Sequence, residues 1–251
     1  IKKMDSLPVL MGHSMGGLIA QILGSRGLAK ALVLLTPASP SGILALSPSV
    51  IKSFRSTLTT WGFWQKPVRQ TFDEAVYSML HLLPVDEQQQ TYKKFVYESG
   101  KAVFEIGFWP FDSKRASKVD EAKVSCPVLV ISGARDKATP CSVNRKIANK
   151  YGAVSTYKVF PKNAHWVLGE PGWEKIVTYI SDWMDRVLGV SSHAPVVKTR
   201  ELKYAAGKKS HVFHRPDCRQ AQRISPENVI RFDSRDEAVG SGRRPCGVCG
   251  P

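Results

Sequence analysis

The chain has 251 residues, 43% of them apolar, and carries a net charge of +15 from 36 Lys and Arg against 21 Asp and Glu. That length accommodates one large α/β domain or a medium domain with a small one, and the apolar fraction is that of an ordinary globular protein. Its continuous apolar runs, such as Ala31–Leu35 and Val128–Ile131, are far too short to span a bilayer, so no transmembrane segment is expected. In chain order, Val9-Leu10-Met11 predicts a short strand, and Leu18, Ile19, Ile22 and Leu23 predict a helix directly behind it. Ala31–Leu35 has the unbroken apolar character of a strand buried on both faces. From Pro37 to about Asp120 the chain is rich in aromatics and poor in strand signals. Phe72, Ala75, Val76, Met79, Leu80 and Leu83 recur at helical spacing there, and Pro84 marks the exit, so two to four helices are expected. Strand character returns at Pro127–Ile131, helical spacing at Val143–Lys150, and a strand at Val154–Phe160. A final amphipathic helix covers Trp173–Leu188. Strand and helix alternating in this way predict a parallel sheet with helices on both faces.

Between the first strand and helix lies Gly12-His13-Ser14-Met15-Gly16. A G-x-S-x-G at a strand-to-helix turn is the spelling of a nucleophile elbow. The serine needs a strained bend to project its hydroxyl, and the residues two before and two after it are expected to be too crowded for side chains. The first free N–H groups of the helix then point to where an oxyanion would form. A serine hydroxyl needs a base, and the base needs a group to hold its tautomer. Asp136 follows the strand at 127–132 and His165 follows the strand at 154–160. In a parallel sheet the carboxyl ends of the strands share one edge. His13 is expected to be structural and His81 a packing or surface residue, and Asp112 and Asp120 are weak substitutes for Asp136.

The order Ser14, Asp136, His165, with the segments GHSMGG, PVLVISGARDKATP and NAHW, resembles the α/β-hydrolase fold superfamily over roughly residues 5–188. The resemblance implies a catalytic triad: Ser14 as nucleophile, His165 as general base and acid, Asp136 as its orienting carboxylate, and the Met15 N–H as one oxyanion donor. It also implies a helical cap at about 39–120, no catalytic cofactor, and a small-molecule acyl substrate, an ester or related compound, which the aromatic cap suggests is apolar. Only the second half of that fold is visible in a sequence beginning at Ile1, so a longer parent protein is expected. This piece would then lack the loop bearing the second oxyanion donor, a loss worth ~2.7–4 kcal/mol of transition-state stabilisation.

After residue 188, periodicity is lost over 189–202, which reads as a linker, and a compact segment of 203–251 follows. Twelve Lys and Arg stand against six Asp and Glu in residues 196–251, a denser positive charge than in the remainder. Cys218, Cys246 and Cys249 cluster here with His211 and His214, and Cys246-Gly-Val-Cys249 is a C-x-x-C knuckle. Metal rather than disulfides is expected in a reducing, cytoplasmic setting. Zinc is the default ion for such a tetrahedral sulfur-rich set. Val229–Phe232 reads as a strand and Ser234-Arg-Asp-Glu237 as a capping box. FHRPDC and RPCGVC resemble the metal-binding domain of the bacterial alkylation-repair protein Ada. The resemblance implies a structural zinc on His214, Cys218, Cys246 and Cys249, with His211 as the rival of His214. Ada's methyl-accepting cysteine is replaced by His214, so that repair chemistry does not carry over. DNA contacts by Arg215, Arg219, Arg243 and Arg244 are implied as well. The sequence thus supports a serine hydrolase with a zinc-stapled α+β module. The alternative is a nucleic-acid-binding protein in which the module carries the function.

Overall fold

A computed structural model describes residues 4–189, 204–225, 228–232 and 234–251. It divides the chain into two compact units, Ile1–Val190 and Ser191–Pro251. Apart from Gly189, the linker expected over 189–202 lies outside the described residues.

In the first unit, β1 (Val9–His13) leads through Ser14 into α1 (Met15–Gly24), and β2 (Ala31–Leu35) follows. All five residues of β2 are buried. Between β2 and the next long strand the chain forms α2 (Pro48–Ser53), α3 (Arg55–Thr59), β3 (Pro67–Val68), α4 (Phe72–Ala75), α5 (Val85–Lys93), β4 (Glu98–Ser99) and α6 (Gly100–Gly107). β3 and β4 pair antiparallel. The cap therefore holds five short α-helices among the described residues, more than the two to four expected, with a small ribbon that no periodicity announced. The pattern over 72–83 is helical but irregular. A full capping box between Thr71 and Glu74 opens α4, and the chain then widens into a π-helical turn over Val76–Leu80. Ser78 returns its hydroxyl to the Glu74 carbonyl at 2.7 Å, a local competitor to the regular ladder.

β5 (Val128–Gly133), α7 (Cys141–Lys150), β6 (Ser155–Phe160) and α8 (Trp173–Leu188) complete the unit. The sheet order is β1-β2-β5-β6, with every pairing parallel. Alternate residues of the buried strands supply two cores. Leu32, Leu34, Val128 and Val130 pack with Ala20 of α1 and Val143 and Ile147 of α7. Ala31, Val33, Leu35, Leu129 and Ile131 pack with Ile176, Ile180 and Trp183 of α8. Burying each large apolar side chain contributes about 1.5–3 kcal/mol, so the central strands fix the register from both faces. Within the described residues β1 pairs only with β2, and Met11 is 52% exposed.

The second unit contains β7 (Tyr204–Gly207), β8 (Val212–His214), α9 (Arg219–Gln222), β9 (Val229–Phe232), α10 (Arg235–Gly240) and β10 (Arg244–Pro245). Its sheet runs β10-β8-β7-β9. Ser234 caps α10 by accepting the Glu237 N–H at 3.1 Å. Phe213, Phe232, Ala206 and Ala238 form one small core, while Cys218 and Cys246 pack with Ala205 and Ala221. Among the described residues, no helix is long and apolar enough to cross a membrane.

Candidate active site and metal cluster

Ser14 occupies the bend between β1 and α1 with φ 53° and ψ −120°. A non-glycine residue at positive φ costs on the order of 1–3 kcal/mol and persists only where its surroundings hold it. Here the Ser14 N–H donates to the Leu35 carbonyl at 3.0 Å, and the Ser14 carbonyl accepts from the N–H groups of Gly17 at 2.9 Å and Ala38 at 2.8 Å. The hydroxyl makes no capping bond to the helix it precedes. Met15 is the first residue of α1, so its N–H belongs to the first turn, where the helix has no carbonyl to receive it.

Asp136 lies in the loop after β5 and is 6% exposed. One carboxylate oxygen, Oδ1, accepts the N–H groups of Ala138 and Thr139, both at 2.8 Å. The other, Oδ2, lies 2.9 Å from His165 Nδ1 and 2.9 Å from Thr139 Oγ1. His165, after β6, is 1% exposed. A Nδ1–H given to Asp136 leaves Nε2 as the basic nitrogen of the ring, the tautomer a proton acceptor needs. Asp136 and His165 are thus in direct contact. Ser14 reaches the same edge through its neighbour: His13 Nε2 lies 2.8 Å from the His165 carbonyl, and the two imidazoles are 4.9 Å apart. Burial and the adjacent His165 lower the His13 pKa to about 4, so His13 is neutral at physiological pH.

Sequence reasoning missed two threonines here. Thr36, fully buried at the end of β2, has φ 41°. Its hydroxyl donates to the His165 carbonyl at 3.2 Å, and its own carbonyl accepts from Thr139 Oγ1 at 3.0 Å. Thr139 in turn stands 3.3 Å from His165 Nδ1. The two tie the Asp136 and His165 loops together. Threonines after buried strands are common, and only the left-handed backbone of Thr36 marks it out. The other acidic residues weighed lie in separate contacts: Asp112 accepts the N–H groups of Lys114 and Ala116, and Asp120 pairs with Lys123. His81 is half-buried in the segment between β2 and β5, outside the Asp136–His165 contact. The cap touches the site at Trp166, which packs against the cluster of Ala75, Leu80 and Leu83. Most cap aromatics pack on one another, as Phe63, Trp64, Phe104 and Phe108 do.

In the second unit the ligand atoms of His214, Cys218, Cys246 and Cys249 all lie within 4.8 Å of one another. Four ligands at zinc–sulfur bond lengths stand about 3.8 Å apart in a tetrahedron, so the donor set fits one ion with little movement. The knuckle is preformed, since Cys246 Sγ accepts the Val248 N–H and Cys249 Sγ the Arg215 N–H, each at 3.4 Å. His211 lies outside the cluster and is exposed. Arg215, Arg219 and Arg244 are exposed, whereas Arg243 lies against the Phe232 ring and bonds Ser241.

The fold has known counterparts. A monoacylglycerol lipase from Paleococcus ferrophilus superposes with a TM-score of 0.52 at 21% identity, over 73% of this chain and 70% of that one. A methylesterase from Arabidopsis gives 0.53 at 12% identity, over 74% and 73%. An esterase from Thermogutta terrifontis gives 0.47 at 21% identity, over 71% of this chain and 65% of its own. The chain spans less than two thirds of the length of several of the solved structures it matches. No curated protein matches it. The family model of the alpha/beta hydrolase fold matches residues 5–171, more than half of the sequence. The chain belongs to the alpha/beta hydrolase fold family.

Proposed function

We propose that the first unit is a serine hydrolase for small carboxylic esters, with Ser14, His165 and Asp136 as its triad. The observation that carries this reading is the buried contact of His165 Nδ1 with Asp136 Oδ2 at 2.9 Å, on a carboxylate whose other oxygen is filled by backbone N–H groups. An acceptor so saturated holds the imidazole in one tautomer and stabilises the imidazolium that forms during reaction. Ser14 Oγ attacks the ester carbonyl carbon while His165 Nε2 takes its proton. The Met15 N–H stabilises the resulting oxyanion. His165 returns the proton to the departing alkoxide as the C–O bond breaks, leaving an acyl group on Ser14. Water, deprotonated by His165, then attacks that acyl carbon, and the acid leaves as Ser14 regains its proton. A fluorophosphonate probe should label the chain at Ser14, and Ser14→Ala should abolish the labelling. Labelling that survives the substitution would exclude Ser14 as the nucleophile.

In the second unit the same reading places a structural zinc on His214, Cys218, Cys246 and Cys249, in a module of Ada type. The ion would link β8 to the C-terminal knuckle without taking part in hydrolysis. The nucleic-acid alternative rests on Arg215, Arg219, Arg243 and Arg244. Arg243 and Arg215 are engaged within the unit, Arg215 through a bond to the Gly250 carbonyl, and Arg219 and Arg244 add only exposed charge. The hydrolase reading has the more specific support.

A further inference from the structure

The turn that carries His165 lies between β6 and α8 and has no regular structure, yet its backbone is pinned on both sides of His165. The N–H groups on either side of His165 find no backbone carbonyl among the described residues. Both go to one side chain: Ala164 N–H donates to Glu170 Oε2 at 2.6 Å, and Trp166 N–H donates to Glu170 Oε1 at 2.9 Å. Glu170 is fully buried, and it forms no ion pair among the described residues. Its own N–H closes the turn onto the Trp166 carbonyl at 3.0 Å. From the opposite side the His165 carbonyl meets His13 Nε2 and Thr36 Oγ1. Burial pushes the Glu170 carboxyl above the usual carboxylate range, with the two N–H bonds working against that push. A carboxylate is costly to bury, and an apolar side chain would fill the space without that cost. What an apolar side chain could not supply is two acceptors straddling a single residue.

We propose that Glu170 is a positioning residue for His165: its two oxygens hold the backbone on both sides of the base, so that Nδ1 stays on Asp136 while Nε2 faces the reacting hydroxyl. This rests on the reading of His165 as general base. Glu170→Gln preserves shape but offers one acceptor oxygen, and turns an NH2 toward the other backbone N–H. A small misplacement of a reacting group costs about a hundredfold in rate, so kcat on p-nitrophenyl butyrate should fall about a hundredfold while KM stays within about twofold. The downfield Nδ1 proton resonance of His165, observed in the 15N-histidine-labelled chain, should shift or broaden in the same variant. A stabiliser of the turn alone would lower the melting temperature and leave that resonance and kcat at their original values, and this result overturns the proposal. Should Glu170→Gln not fold, amide exchange in the unaltered chain decides: slow exchange at Ala164 and Trp166 supports the bracket, and fast exchange at either overturns it. Fluorophosphonate labelling separates the two levels. An unaltered chain that is not labelled at Ser14 overturns the hydrolase reading and this one with it. A labelled chain whose Glu170→Gln variant is labelled equally fast overturns this one alone.

Discussion

A Cβ placed on Gly12 would stand 2.2 Å from the Gly16 carbonyl oxygen, and one on Gly17 would stand 2.7 Å from Pro37 Cβ. At Gly16 nothing lies within 4 Å. The G-x-S-x-G spelling leads one to expect crowding at both of its glycines, but only the first is crowded. The second tight position is Gly17, one residue further on, where α1 passes the segment following β2. Gly16→Ala should therefore leave stability within about 0.5 kcal/mol in urea unfolding. Gly12→Ala and Gly17→Ala should each lose about 1–3 kcal/mol, with Gly12 the worse because it meets backbone. Equal losses at 12 and 16 would contradict these clearances. The positions of Ser14, Asp136 and His165 just after strands were legible in the sequence, because each of those strands carries a recognisable apolar pattern. Thr36, Thr139 and Glu170 were not, because their roles depend on which loops meet, and loop contacts leave no periodicity to read.

Among the elements, the long and strongly patterned ones were legible almost to the residue. β2 is the apolar run Ala31–Leu35, and α8 spans the expected Trp173–Leu188. The cap was read poorly because helices of four to nine residues carry too few turns to establish a 3.6-residue period. His13 shows how the elements are joined. It ends β1 at one edge of the sheet, yet its ring bonds the turn following β6 at the other edge. Its burial has a consequence for the pH dependence of stability. The folded pKa of about 4 lies below histidine's ordinary value of 6.5, so between these values the unfolded chain binds a proton that the folded chain refuses. Stability from this residue is complete above pH 6.5 and is lost as the pH falls toward 4, by at most about 3 kcal/mol. The urea midpoint should climb across that window, and His13→Asn should climb less. Titratable groups remote from position 13 act alike in both proteins, so the difference between the two curves reports His13 together with its electrostatic coupling to His165 and Asp136. Parallel curves would mean that His13 protonates freely in the folded state.

At the scale of the whole molecule, the two units are sustained by different means. The first has two extensive apolar cores, one on each face of its sheet. The second has only four buried apolar residues in one group, two of them alanines, and, in the other, cysteines themselves as core members. A segment of that size buries too little to fold firmly by apolar contact alone, and a metal bound by preorganised thiolates contributes folding free energy directly. Spacing alone left His211 and His214 as rivals for the fourth ligand, since both precede Cys218 at workable distances. Strand geometry favours His214: it closes β8, while the carbonyl of His211 takes the Arg244 N–H and its side chain lies outside the cluster. Elemental analysis should find one zinc per chain, reduced to a small residual fraction by Cys246→Ser and unaffected by His211→Ala. Removing the ion with a strong chelator should collapse the amide dispersion of residues 204–251. The metal ligands all belong to the second unit and Ser14 to the first, so fluorophosphonate labelling should persist in the chelated protein. A second unit that keeps its dispersion without metal would refute the structural role of the ion, because the four ligands would then be held by packing alone.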